Sequence, residues 1–86
     1  MYYYELPCYD SRKSFYGKAH VLERDGEKRL ISYNTTVCKL DKNGRFVRLW
    51  GGYSATTMRH VNSFLTHTGT PGGGKDWWDR QEVERG

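Results

Sequence analysis

Residues Trp50 to Gly69, WGGYSATTMRHVNSFLTHTG, decide the fold of this chain. Two glycines end an extended segment. Ser54 then stands where its hydroxyl can accept a hydrogen bond from an unpaired N–H of a first helical turn. From about Ala55 to Thr68, Met58, Val61 and Leu65 recur at spacings of three and four, with Phe64 on their flank. That is the apolar stripe of an amphipathic helix. Gly69 suits the left-handed residue that closes it. The stripe predicts packing across a sheet. The opposite face carries Thr56, Arg59, Ser63 and Thr66, with His60 and His67 near the boundary, and is polar enough to meet a partner.

Working back from this helix, Phe46 to Trp50 reads as a strand, and Asp41-Lys-Asn-Gly44 as the turn before it. Lys28 to Leu40 reads as one long strand with Ile31, Tyr33 and Val37 on one face. Cys38 and Leu40 fall on the other parity, which predicts a bulge or bend near Asn34-Thr35-Thr36. Asp25-Gly26 is a two-residue hairpin signal. Before it, Phe15, Ala19 and Val21 alternate with Tyr16, Lys18 and His20, the pattern of a half-buried strand.

Residues 1–13, aromatic and polar with Pro7, suit an N-terminal arm or edge strand; residues 14–68 form the core. Residues 69–74 make a glycine-rich loop, and 75–86 a short C-terminal helix that Trp77 or Trp78 anchors. The expected architecture is therefore α+β: a single domain with an antiparallel three- to four-stranded sheet, one main helix and a short C-terminal helix.

Eighty-six residues make one domain, with little room for a second. Apolar residues are only 36% of the chain, so the core depends on seven Tyr, three Trp and three Phe. Each aromatic ring can bury roughly 150–250 Å². The formal charge of +4 favours anionic partners weakly, because the basic residues are scattered. Cys8 and Cys38 could form a disulfide, but they follow no basic, apolar leader, which points to reduced thiols in a cytoplasm. No apolar run approaches the length of a membrane span.

Several chemistries fail on spacing. Gly69-Thr-Pro-Gly-Gly-Gly74-Lys75 matches a phosphate-binding loop as far as its lysine, but Asp76 stands where Ser or Thr must reach magnesium. The loop also follows a helix instead of a strand. His20, His60, His67 and the cysteines lack the close pairs of zinc sites. His60 and His67 would sit about 10.5 Å apart along a helix. His60, Asn62 and His67 superficially match the residue set of small metal-dependent nucleases, yet all three share one helix. No metal, cofactor or catalytic residue is expected.

Two surfaces remain as candidate partner-binding sites. Arg12, Lys13, Tyr16, Lys18 and His20 form a basic and aromatic stripe on a strand, able to stack on bases and meet phosphates. Tyr53, Thr56, Arg59 and His60 form the second, at a helix start whose N–H groups favour acidic groups. Tyr2-Tyr-Tyr4 adds an edge suited to homodimerisation by strand addition.

Tyr9-Asp-Ser-Arg-Lys-Ser-Phe-Tyr-Gly-Lys-Ala19 and Leu49-Trp-Gly-Gly-Tyr-Ser-Ala-Thr-Thr-Met-Arg-His-Val61, with Ser32-Tyr-Asn-Thr35 between them, resemble a family of small domain proteins. Phages and mobile elements of Gram-positive gut bacteria carry that family. The resemblance implies a non-enzymatic protein that binds a host protein, in its specific form an inhibitor of a defence enzyme such as an RNA-guided CRISPR nuclease. The alternatives are a small nucleic-acid-binding module and, further off, a metal-dependent nuclease.

Overall fold

The computed structural model describes residues 1–9 and 15–84. Five strands run in chain order across one antiparallel sheet. They are β1 (Tyr2–Glu5), β2 (Ala19–Arg24), β3 (Glu27–Ser32), β4 (Thr35–Leu40) and β5 (Phe46–Arg48). Two helices follow, α1 (Ala55–Thr68) and α2 (Lys75–Arg80). The α+β architecture agrees with the expectation, and the sheet gains a strand because Lys28 to Leu40 is not continuous. Tyr33, with φ of 55°, and Asn34 turn the chain back on itself. The change of apolar parity noted in the sequence has two sources. One is that turn, and the other is a register shift between Leu30 and Ile31, which leaves Val37 as the extra residue of β4.

The register assembles the core from alternate positions. Tyr4, Val21, Leu30, Cys38 and Arg48 lie side by side across the five strands on the face that α1 covers. Against them α1 places Met58, Val61, Phe64 and Leu65, all buried. Burying each such side chain contributes roughly 1.5–3 kcal/mol, so this contact sets the position of α1. Tyr3, Leu22, Arg29, Lys39 and Val47 form the corresponding row on the other face.

Both ends of α1 behave as their residues require. Ser54 is extended, and its hydroxyl accepts from the Thr57 N–H at 3.0 Å. Gly69 is left-handed with φ of 69°, and the Thr70 N–H returns to the Leu65 carbonyl at 2.8 Å. The glycine-rich loop is held against the body, since the Asn62 side chain accepts from the Gly74 N–H at 3.1 Å. A Cβ on Gly72 would come within 2.5 Å of the Trp77 ring, so only glycine lets the loop lie there.

The C-terminal helix is shorter than the expected 75–86, because Gln81 is already extended. Trp78, 1% exposed, is its anchor. Beyond Gln81 the chain runs beside β5, with Val83 bridging Arg48 in parallel and the Glu84 N–H donating to the Arg48 carbonyl at 2.7 Å.

Candidate functional site

Tyr16, Lys18 and Tyr33 fall at two turns at one end of the sheet, before β2 and between β3 and β4. Tyr16-Gly17 precedes β2, with φ of 51° and 74°, and the Lys18 N–H closes the turn on the Phe15 carbonyl at 3.0 Å. Asp25-Gly26, between β2 and β3, takes φ of 54° and 83°. Both are two-residue turns with positive φ at each centre, a geometry that favours Asn or Asp followed by Gly. Asp25 obeys that preference, whereas Tyr16 places a 75%-exposed aromatic ring there. Tyr33 repeats the departure at the β3–β4 turn, again with positive φ and half exposed. A bulky residue in that region costs of order 1–3 kcal/mol, and such strain concentrates at functional sites.

The Tyr16-Gly17 turn touches the Tyr33-Asn34 turn. The Tyr33 N–H donates to the Lys18 carbonyl at 2.7 Å, and Lys18 Nζ lies 5.5 Å from the centre of the Tyr33 ring. Along β2, the next residue on that face is His20, whose ring stacks on Tyr3 at 4.9 Å. Lys18 and Tyr33 thus form one exposed aromatic and basic surface, with the exposed Tyr16 in the adjoining turn and the Tyr3–His20 stack following along β2. Arg12 and Lys13, the remaining members of the stripe expected from the sequence, lie outside the described residues.

Beneath this surface is a buried polar cluster. Ser32 Oγ sits 2.7 Å from His60 Nδ1 and 3.3 Å from Thr57 Oγ1. His60 is 1% exposed, so it is no contact residue as it stands. Instead it supports the turns: the Phe15 ring meets it edge-on at 4.6 Å and the Tyr33 ring lies 5.9 Å away. Arg59 reaches the same turn from α1, its guanidinium carbon 5.0 Å from the Phe15 ring centre. The three sequence segments that carried the family resemblance therefore converge on one cluster, through Phe15, Ser32-Tyr33 and Thr57-His60. The strand stripe and the helix surface, separate in the sequence, meet there. Thr56 is exposed on α1, while Tyr53 is drawn toward α2, with Lys75 Nζ 5.4 Å from its ring centre.

A second polar cluster had no local signal in the sequence, since its members lie far apart in the chain. The Tyr4 hydroxyl donates to Glu23 at 2.6 Å and sits 2.8 Å from His67 Nε2; Tyr9 Oη is 3.0 Å from Nδ1 of the same ring. Burial, and then Glu23, push the Tyr4 phenol above its usual range, so it stays neutral. With its proton committed to Glu23, the Tyr4 oxygen is left to accept from His67 Nε2–H, and Tyr9 Oη bonds the other ring nitrogen. This chain of bonds ties β1 and the segment after it to the end of α1.

His60 and His67 thus have different partners. Among the described residues no group of three His, Cys, Asp or Glu side chains is placed to hold a metal. Burial pushes the Cys38 thiol well above its usual range, which withholds the thiolate that nucleophilic chemistry needs. Cys8 and Cys38 are not joined in a disulfide. Among the described residues no helix is long and apolar enough to cross a membrane.

A capped helix on a five-stranded meander, with exposed tyrosines at positive φ in two of its turns, defines a small α+β domain. The chain belongs to a family of unknown function (DUF8033), whose model matches residues 4–80. That span includes β2 to β5, both helices and every residue of the two polar clusters. No curated protein and no solved structure matches the chain.

Proposed function

We propose that the protein is a non-enzymatic interaction module that docks on a host protein through the surface formed by Tyr16, Lys18 and Tyr33, with Arg59 at its margin. The observation that carries this is the pair of exposed tyrosines at positive φ on touching turns. Turn geometry alone favours Asn, Asp or Gly there, so the aromatic rings at these positions call for another cause. Tyr and Arg are also among the residue types that dominate binding energy at interfaces, and Arg59 stands partly buried at the margin of this surface. In its specific form, the module inhibits a bacterial defence enzyme stoichiometrically, with RNA-guided nucleases the first class to test. The family resemblance of the sequence supports that choice of partner. Affinity capture from host cells tests the proposal: wild type should recover a stoichiometric partner, and Tyr16→Ala with Lys18→Ala should lose it at unchanged thermal stability. Equal capture by wild type and variant would overturn it.

A second reading has its own observation. Lys18 over Tyr33, beside the Tyr3–His20 stack, places cations and ring faces together on the open side of the sheet, as a single-stranded nucleic acid requires. Such binding should weaken steeply as salt rises. A gel shift that shows no complex at low salt would remove it.

A further inference from the structure

The two edges of the sheet are treated differently. Along β5 the C-terminal segment closes the edge: Val83 bridges Arg48, and the Glu84 carboxylate takes both terminal nitrogens of Arg45 at 3.2 and 3.1 Å. Along β1 no described residue pairs with the outer side of the strand. Met1, Tyr2 and Tyr3 are 84%, 72% and 59% exposed, a concentration of large side chains on the bare edge. No lysine, proline or bulge interrupts Tyr2–Glu5, and its protection is limited to its four-residue length and the charge of Glu5.

The backbone fixes which groups this edge offers. The Leu6 N–H donates to the Ala19 carbonyl at 2.9 Å, so Leu6 bonds toward β2. Hydrogen-bonding direction alternates along an antiparallel strand. Tyr4 and Tyr2 therefore also bond toward β2, and the N–H and C=O groups of Tyr3 and Glu5 point outward. Pro7, with no N–H, ends the useful edge.

We infer that β1 pairs antiparallel with β1 of a second copy of this chain about a two-fold axis at Tyr3, joining two five-stranded sheets into one of ten strands. The run Tyr2-Tyr3-Tyr4 reads the same in both directions. In this register Tyr3 faces Tyr3 of the second copy as a hydrogen-bonded pair, and Tyr2 faces Tyr4 on both sides. Three cross-strand aromatic pairs form, each the kind of contact that stabilises a sheet. The interface is isologous, as two-fold dimers require. The outward groups of Tyr3 and Glu5, together with the Met1 carbonyl, gain partners. A foreign strand would satisfy the backbone as well, but only a second copy matches all three rings.

Sedimentation velocity over a concentration series tests this on the full chain. A species of twice the chain mass is expected, with Tyr3→Pro monomeric under the same conditions. That substitution removes an outward N–H and leaves the β1–β2 ladder intact. Tyr3→Lys tests the register and does not depend on how the proline variant folds. About a Tyr3 axis each introduced lysine faces its own copy, so the dimer should dissociate, most completely at low salt. About a Tyr4 axis the lysine would instead face Glu5 and tighten the dimer, which would overturn the assignment. A monomer at every concentration for the wild-type chain would overturn the pairing itself.

Discussion

The guanidinium of Arg48 lies over Trp78, with its carbon 4.2 Å from the ring centre, and Arg48 Nη1 donates to the carbonyl of the same tryptophan at 2.8 Å. Arg48 Nε and Nη2 donate to the carbonyls of Trp50 at 2.8 Å and Gly52 at 3.2 Å. A 7%-exposed cation is tolerable here because carbonyls take over the role of water. This residue joins β5, the glycine turn and α2. Arg48→Ala should lower unfolding free energy by roughly 3 kcal/mol, from lost charge-assisted hydrogen bonds and exposed carbonyl needs. Arg48→Lys should recover little, because an ammonium cannot fork to several carbonyls while lying on a ring. Urea midpoints, compared at constant m, measure both.

Gly52 shares that joint. Its carbonyl also accepts from Trp78 Nε1 at 2.9 Å, and a Cβ at Gly52 would stand 2.4 Å from the Trp50 ring. Gly52→Ala must therefore move a tryptophan. Overpacking of this kind typically costs 1–3 kcal/mol, and a loss of about 2 kcal/mol is expected. A red shift in tryptophan emission at unchanged helical circular dichroism would show that the ring has moved and the fold remains.

The main helix was fully legible, because Ser54, the Met58–Leu65 stripe and Gly69 are local signals that tertiary context did not override. The β3–β4 turn was not. Tyr33-Asn34 carries no glycine, and positive φ at a tyrosine is a choice that sequence preference argues against. For that reason an unbroken strand looked sound, although the parity change at Cys38 was a true sign of the irregularity. The candidate residues were legible as types but not as positions. His60 sits one place from Arg59 on the helix, yet its ring turns inward to Ser32, a partner 28 residues away that no pattern of spacing announces. The His67 cluster escaped for the same reason.

His60→Ala separates support from contact. It should remove the bond to Ser32, leave a cavity beside Phe15 and cost roughly 2–4 kcal/mol. Partner capture should fall only in proportion to the folded fraction. Capture that fails while thermal stability stays at the wild-type value would show that His60 contacts the partner directly.

Acid should weaken the sheet face opposite α1. Glu27 pairs with Lys39 at 3.1 Å and Arg29 at 3.2 Å, and its carboxyl is held below the ordinary range, first by the Lys39 hydrogen bond. Asp41 is held down in the same sense, first by the Arg45 N–H. A carboxylate with a lower pKa folded than unfolded contributes stability above its unfolded pKa. That contribution is lost as pH falls through the folded value. Urea midpoints should therefore decline on acidification below the usual carboxylate range, and Glu27→Gln should flatten part of that slope. A slope unchanged by the substitution would show that the pair is screened to insignificance.

At Tyr16 stability and binding are set against each other. Tyr16-Gly17 adopts the backbone of Asp25-Gly26, so Tyr16→Asn installs the dipeptide that this turn favours. Relief of a left-handed aromatic residue is worth roughly 1 kcal/mol, and the unfolding midpoint should rise by a corresponding amount. If the ring is present only because the turn tolerates it, partner capture should be unaffected. If the strain is kept because a partner needs the ring, capture should fall tenfold or more, the equivalent of about 1.4 kcal/mol of lost contact. A more stable protein that binds less well separates a functional residue from a structural one, because loss of folding cannot produce that combination. The same substitution at Asp25, where the native residue already suits the turn, should change neither quantity.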